Sequence, residues 1–360
     1  MKNLLIAALA VLGLSACQTP PTQTTAPAPA ADTLVYPQEK HLANLRQLTF
    51  GGDNAEAYFS FDGQYLTMQR TMPEEGIPCD QIYSVPTTGT PTLTRISTGL
   101  GRTTCSYYLP GDSLILYATT HLATDSCPPG VDRAKIKKYV WSIYDTYDIV
   151  VADLKGNIVR RLTDTPGYDA EATVSPKGDR IVFTSTRDGD LDLYTMNLDG
   201  SDVKRITTGL GYDGGAFFSP DGSKLVFRAS RPQTPEAQQE YKDLLAQGLV
   251  APSDMEVYVC NADGTDLRQI TSLGKANWAP FFHPSGQKII FASNHTSASG
   301  RQFNLWMINL DGTGLEQVTY DQDFDAFAMF SPDGKKLVFA SNRNNGETRS
   351  TNVFIADWID

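Results

Sequence analysis

Histidine is scarce in this chain of 360 residues, with 4 copies, and cysteine is little commoner, with 5. The histidines lie far apart, and no His-Glu-x-x-His run or zinc-like cysteine spacing occurs, so a zinc hydrolase has no motif to rest on. No Gly-x-Ser-x-Gly elbow is present, which removes the usual serine-hydrolase signature. Positive charge is also short: 30 Lys and Arg stand against 41 Asp and Glu, for a net charge of −11. That sign repels phosphate backbones and argues against a nucleic-acid partner. The apolar run Leu4 to Leu14 is too short to span a bilayer as a mature helix and reads as a signal-peptide core.

That run leads into Leu14-Ser15-Ala16-Cys17. Small residues before a cysteine at this position resemble the bacterial lipobox, so residues 1–17 are expected to be a lipoprotein signal with Cys17 as the acylated residue. Residues 18–40 are rich in Pro, Thr and Ala, cannot bury a core, and read as a flexible tether. The folded body is expected over 41–360, with no second domain. Of the remaining cysteines, Cys79, Cys105 and Cys127 can contribute one disulfide in an oxidising envelope, with the pair left open. Cys260 sits in an apolar strand and reads as a buried free thiol.

What recurs is Ser-Pro-Asp-Gly before an apolar run, at Ser219 to Gly222 and Ser331 to Gly334. Worn copies start at Ser60, Leu109, Ser175 and His283. Six units at this spacing predict an all-β, six-bladed β-propeller of four-stranded antiparallel blades. Asp-Gly hairpins at Asp199-Gly200, Asp263-Gly264 and Asp311-Gly312 join third and fourth strands. The fourth strand has its own signature, as in Lys204-Arg205-Ile206-Thr207. The last blade lacks one, and the missing copy is Leu45 to Thr49, so the N-terminal strand is expected to close the ring.

Antiparallel order places every sizeable insertion on one face: Thr71 to Asp80, His121 to Thr146, Arg231 to Asp254, Asn294 to Phe303 and Asn342 to Thr351. Connections of 24 and 26 residues are unusual, and long loops on a rigid scaffold are where binding usually sits. The alternative is that they cover blade edges. In the blade-4 insertion, Thr234, Pro235 and Gly248 frame a short helix, expected to lie over the ring as a lid.

Six residues before each motif start stand Asn54, Thr103, Asp169, Asp213, Asn277 and Asp325; twelve after stand Met72, His121, Arg187, Arg231, His295 and Arg343. Asp goes with Arg, and His with Asn or Thr, so each blade is expected to carry an Asp–Arg pair or an Asn–His hydrogen bond. These pairs read first as structural staples and second as ligand contacts. Glu171 and Trp278 stand beside them without repeated partners and are better ligand candidates. The Asp ladders 188–192 and 321–325 lack the Glu that completes an EF-hand, so neither a metal nor a cofactor is assigned, and no catalytic residue is.

With Ser185-Thr186-Arg187, Ser230-Arg231 and Ser341-Asn342-Arg343 between second and third strands, residues 41–360 resemble the TolB-type propeller family. The resemblance implies an envelope protein, lipid-anchored here and monomeric, that binds a protein or glycan on its long-loop face. Gln18 after Cys17 favours the outer membrane. Similar propellers precede α/β-hydrolase domains in prolyl-oligopeptidase-like peptidases, and others are pectate-fragment lyases whose metal is held by clustered histidines. The rival readings are a carbohydrate-active enzyme using Glu171 with an Asp of the ring, and a structural envelope component.

Overall fold

The computed structural model describes residues 33–346 and 348–360; the signal, Cys17 and most of the expected tether lie outside them. Six four-stranded antiparallel sheets form the blades. From the axis outward, blade 3 runs Asp169–Val174, Arg180–Ser185, Asp192–Asn197 and Lys204–Arg205, and blade 4 runs Asp213–Phe218, Lys224–Ala229, Glu256–Asn261 and Arg268–Gln269. Inner strands of consecutive blades touch, and the inner strand of blade 1, Asp53–Phe59, meets that of blade 6, Asp325–Phe330.

The ring closes as expected. Leu42–Gln47 pairs antiparallel with Asn352–Trp358 and becomes the outer strand of blade 6. Its Thr49 shows why every fourth-strand signature ends in Ser or Thr: the hydroxyl accepts the Val353 N–H at 2.9 Å. Thr163, Thr207, Thr271, Thr319 and Ser97 do the same for Ile149, Leu193, Val257, Leu305 and Ile82. Each bond satisfies an N–H left where the short outer strand stops.

The repeated turn is equally local in cause. Ser219 Oγ donates to Asp221 Oδ1 at 2.6 Å and accepts from Lys224 N at 2.9 Å, while Gly222 takes φ +68°, which glycine adopts without steric cost. At the hairpin Gly264, a Cβ would lie 2.5 Å from the Ile206 carbonyl of the preceding blade. The hairpin glycines therefore also set how closely blades stack.

Residues 33–40 correct the expected tether. Glu39 is buried and receives both Arg343 Nη atoms at 3.0 Å and the Tyr320 N–H at 3.0 Å. Tyr36 donates to Asp321 at 2.9 Å. These residues anchor through polar groups, which a reading of apolar content passes over. Among the described residues no helix is long and apolar enough to cross a membrane. One disulfide, Cys79–Cys127, ties blade 1 to the blade-2 insertion, leaving Cys105 and the buried Cys260 as free thiols.

Because closure depends on one strand, a chain starting at Thr49 should lose its cooperative thermal transition and aggregate, while one starting at Asp32 should melt in a single transition. Equal melting of the two would show that the outer strand is dispensable.

Candidate functional site

The two longest insertions meet over the ring. Pro235–Leu245 is the expected helix, with Thr234 Oγ1 accepting the Ala237 N–H at 3.2 Å. The strand after it, Leu249–Val250, pairs antiparallel with Trp141–Ser142 of the blade-2 insertion. Lys138 and Glu240 pair at 2.6 Å, and Tyr241 of the helix donates to Asp190 of blade 3. A lid thus spans from blade 2 to blade 4. Below it, a cavity of about 490 Å³ opens at the channel mouth, with Tyr139, Trp141, Trp278 and Phe324 among its walls. Trp141 lies 5.1 Å from Trp278, which stacks on Phe303 at 4.3 Å and donates to the Pro252 carbonyl at 2.7 Å.

The floor of this cavity is made by a feature of every inner strand. Each has one bulge, and the bulged residue has positive φ: Glu56, Cys105, Glu171, Gly215, Ala279 and Phe327, between 46° and 59°. An extra residue in one strand of a pair bends it and re-aims its side chain. All six line one narrow space on the axis, about 20 Å³ in volume. Two residues further along, Tyr58 and Phe217 of opposite blades pack ring to ring at 5.3 Å, and Phe217 meets Phe281 at 5.0 Å. This aromatic layer separates the polar floor from an apolar cavity of about 360 Å³ at the tight-turn face, bordered by Pro176, Pro220, Pro284 and Pro332.

Glycine at 215 has a specific cause. Arg228 Nη1 occupies the place where a Cβ of residue 215 would go. The guanidinium donates to Glu171 Oε1 at 2.6 Å and Tyr212 Oη at 2.7 Å, and lies over Trp141 and Tyr212 at 5.2 and 5.3 Å. Glu171 also accepts from Thr184 Oγ1 and Gly215 N, both at 2.8 Å, and from Tyr212 Oη. Its oxygens are fully engaged, which leaves it a poor base for the carbohydrate chemistry entertained above. Across the axis, the only hydrogen bond to the Glu56 side chain among the described residues is from the Cys105 thiol, at 2.8 Å to Oε2. Burial pushes the Glu56 carboxyl up to about 7, against the lowering effect of that bond. Burial, reinforced by Glu56, holds the Cys105 thiol well above its ordinary range.

The anticipated Asp–Arg pairs form: Asp169–Arg187 at 2.9 Å, Asp213–Arg231 at 2.6 Å and Asp325–Arg343 at 2.8 Å. All three aspartates are buried, and the pairs staple loops within blades. The Asn–His bond is corrected. Ser293 Oγ stands between, donating to Asn277 Oδ1 at 2.6 Å and meeting His295 Nδ1 at 2.9 Å. His121 meets Thr119 Oγ1 at 3.3 Å, while Thr103 donates to the Asp80 carbonyl. Of the ligand candidates, Glu171 and Trp278 line the mouth; Arg231 borders a separate cavity of about 110 Å³ under the helix. The Asp ladders are engaged in structure, Asp188 by Tyr194, Asp192 by Arg205 and Asp321 by Tyr36. Among the described residues no group of three His, Cys, Asp or Glu is placed to hold a metal. The sequence reading missed Glu56 and Cys105, although counting four residues back from each motif start finds the whole axial set.

Two outcomes follow from these burials. Gly215→Ala should displace Arg228 from Glu171, lowering stability by roughly 2–4 kcal/mol and changing tryptophan emission through Trp141; an unchanged melt would refute the packing account. Asp213 is raised by burial to about 7 despite Arg231, and Asp325 to about 6. Since these folded-state values exceed the unfolded ones, the folded chain takes up protons first, and their stability contribution grows as pH falls from about 7 towards 4. Asp213→Asn should remove up to about 1.4 kcal/mol per pH unit of that slope in this window, measured by calorimetry at pH 5 and 7; an unaltered slope would contradict it.

The model for the TolB beta propeller domain, PD40, matches residues 138–245. Among solved structures, a putative TolB from Agrobacterium tumefaciens is 20% identical with a TM-score of 0.56, over 86% of this chain and 91% of that one. TolB from Acinetobacter baumannii is 18% identical at TM-score 0.53; the alignment takes in 86% of this chain and 64% of that longer one. An oligogalacturonate lyase from Vibrio parahaemolyticus is 11% identical at TM-score 0.50, over 87% and 93%. No curated protein matches the sequence. The repeats, the strand-closed ring and these likenesses agree that the chain carries a TolB-like, PD40-type six-bladed β-propeller.

Proposed function

We propose that this protein is a lipid-anchored propeller of the cell envelope that binds a protein or glycan partner at its long-loop mouth. The observation that carries the reading is the lid: insertions from blades 2 and 4 pair with each other above a cavity of about 490 Å³. Concave sites with aromatic walls and a few convergent polar groups are the usual form of a ligand pocket. The mouth has both, with Trp141 and Trp278 on its wall and Arg228, Glu171 and Glu56 on its floor. Asp169, Arg187, Asp213, Arg231, Asp325, Arg343, His121 and His295 are assigned to holding the loops that frame it.

The anchor rests on Leu14-Ser15-Ala16-Cys17, and the envelope location on that motif and the likeness to TolB structures. A lipid at Cys17 followed by a short Pro/Thr/Ala-rich tether would hold the propeller within reach of the membrane. The enzymatic alternative has one observation in its favour: the Glu56 carboxyl titrates near neutrality, as a general acid or base should.

The test uses the full chain in detergent, immobilised and exposed to solubilised envelopes, beside a variant with Arg231 to Asp254 replaced by a short Gly-Ser link and matched for thermal stability. Partners retained by the first and lost by the second are expected. Equal capture by both would remove the lid from the binding face. Cys17→Ser should move the protein from the membrane fraction to the soluble fraction; unchanged partitioning would refute the lipid anchor.

A further inference from the structure

Resting on the mouth as the binding face, we infer that Glu56 receives the ammonium group of a lysine side chain, carried by a partner protein segment that enters beneath the lid. The argument starts from charge on the axis. Glu56 and Glu171 are carboxylates, Arg228 is the single cation among the described residues lining this space, and Cys105 is held as a thiol. Arg228 is committed to Glu171 at 2.6 Å. The remaining carboxylate, half-buried at the base of the mouth, therefore has a neutral, weak donor where a counter-charge belongs.

Size and surroundings narrow the class. The innermost space among Glu56, Cys105, Glu171, Arg228 and Phe327 is about 20 Å³, room for a group the size of one water, and the same residues floor the wider mouth of about 490 Å³ above it. A compact ammonium fits the inner space; a planar guanidinium would have to stay in the wider mouth above it. The path from the mouth is lined by Tyr139, Trp141, Trp278 and Phe327, and aromatic faces favour a passing cation while packing on a lysine's methylene stem. An anionic group would meet an axis whose charge is already negative.

The groups facing Glu56 are Cys105 from the neighbouring inner strand of blade 2, Glu171 from the inner strand of blade 3, Arg228 from blade 4, Tyr58 below it, and Asp80 with its partner Arg102 at the rim. Because burial holds the Glu56 carboxyl near 7, a bound ammonium must expel its proton at lower pH. Lysine itself stays charged throughout this range. Affinity should therefore rise with pH by about tenfold between pH 6 and 8; recognition of a carboxylate would give the opposite slope.

The probe is Nα-acetyl-lysine methylamide, titrated into the full chain in detergent by calorimetry and tryptophan fluorescence at pH 6, 7 and 8. Controls are the norleucine and arginine counterparts, glucosamine and acetate. We expect saturable lysine binding, at least about tenfold tighter than norleucine or arginine, tightening with pH, and loss of both the preference and the pH slope in Glu56→Gln. Equal binding of norleucine, the reverse pH slope, tighter binding of acetate, or no saturation below about 10 mM would overturn the inference. Glucosamine binding more tightly than lysine would overturn the choice of a protein ligand. Should Glu56→Gln fail to fold, the lysine-to-norleucine ratio and the pH slope of the wild type decide alone. Lid-dependent capture from envelopes with no lysine preference would sink this inference while leaving the binding face intact. Loss of lid dependence would sink the binding face itself.

Discussion

Each inner strand carries one residue more than the strand it pairs with, and that surplus residue decides what the axis is made of. In each of these bulges the surplus residue takes a positive φ, which costs a non-glycine residue roughly 1–2 kcal/mol. Five of the six blades bear that cost with a side chain: Glu56, Cys105, Glu171, Ala279 and Phe327. Packing by the surrounding sheets has to hold these conformations. In return six independent side-chain choices converge on one point. The blades supply a frame of near-identical sheets, and the frame leaves the axial position free to differ from blade to blade.

The differences have a direction. Blades 1 to 3 place Glu56, Cys105 and Glu171 on the axis, whereas blades 4 to 6 place Gly215, Ala279 and Phe327. The empty position in blade 4 is used by Arg228, which reaches over the glycine to the carboxylate of blade 3. Trp141 of the lid lies over the same guanidinium, so lid and floor are coupled through one stacked arginine. The disulfide Cys79–Cys127 ties the insertion bearing Trp141 to blade 1, the blade that carries Glu56. A change in the lid is therefore transmitted to the polar side of the axis by packing, through groups with little freedom to adjust.

The sequence made the frame legible because the frame repeats. Ser-Pro-Asp-Gly, Asp-Gly and the terminal Ser or Thr of the outer strand each solve a local hydrogen-bonding problem, and each solution is visible wherever it recurs. Closure by Leu42–Gln47 followed from a missing copy. The Asp–Arg staples were readable for the same reason. What stayed hidden was set by contact between distant segments. The pairing of Trp141–Ser142 with Leu249–Val250 joins residues about a hundred positions apart, and two-residue strands leave no periodicity. Residues 33–40 were mistaken for tether because their anchors are polar, with Glu39 bonded to Arg343. Glu56 was overlooked because the axial position varies from blade to blade, Glu, Cys, Glu, Gly, Ala and Phe, and so leaves no repeating signal.

Burial alone does not separate a functional charge from a structural one; the state of its partners does. Glu171, with four donors, has its charge matched within the chain. A ligand has little to add to such groups and would have to break existing bonds to reach them. Glu56 differs because, among the described residues, the one bond to its side chain comes from a thiol, and because it lies at the base of the mouth where a ligand can reach it. The free energy spent in keeping it there is available to a partner that supplies the missing charge. A repeat scaffold can carry many buried charges as fasteners, and it is the imperfectly satisfied one on the axis that is poised to discriminate among ligands.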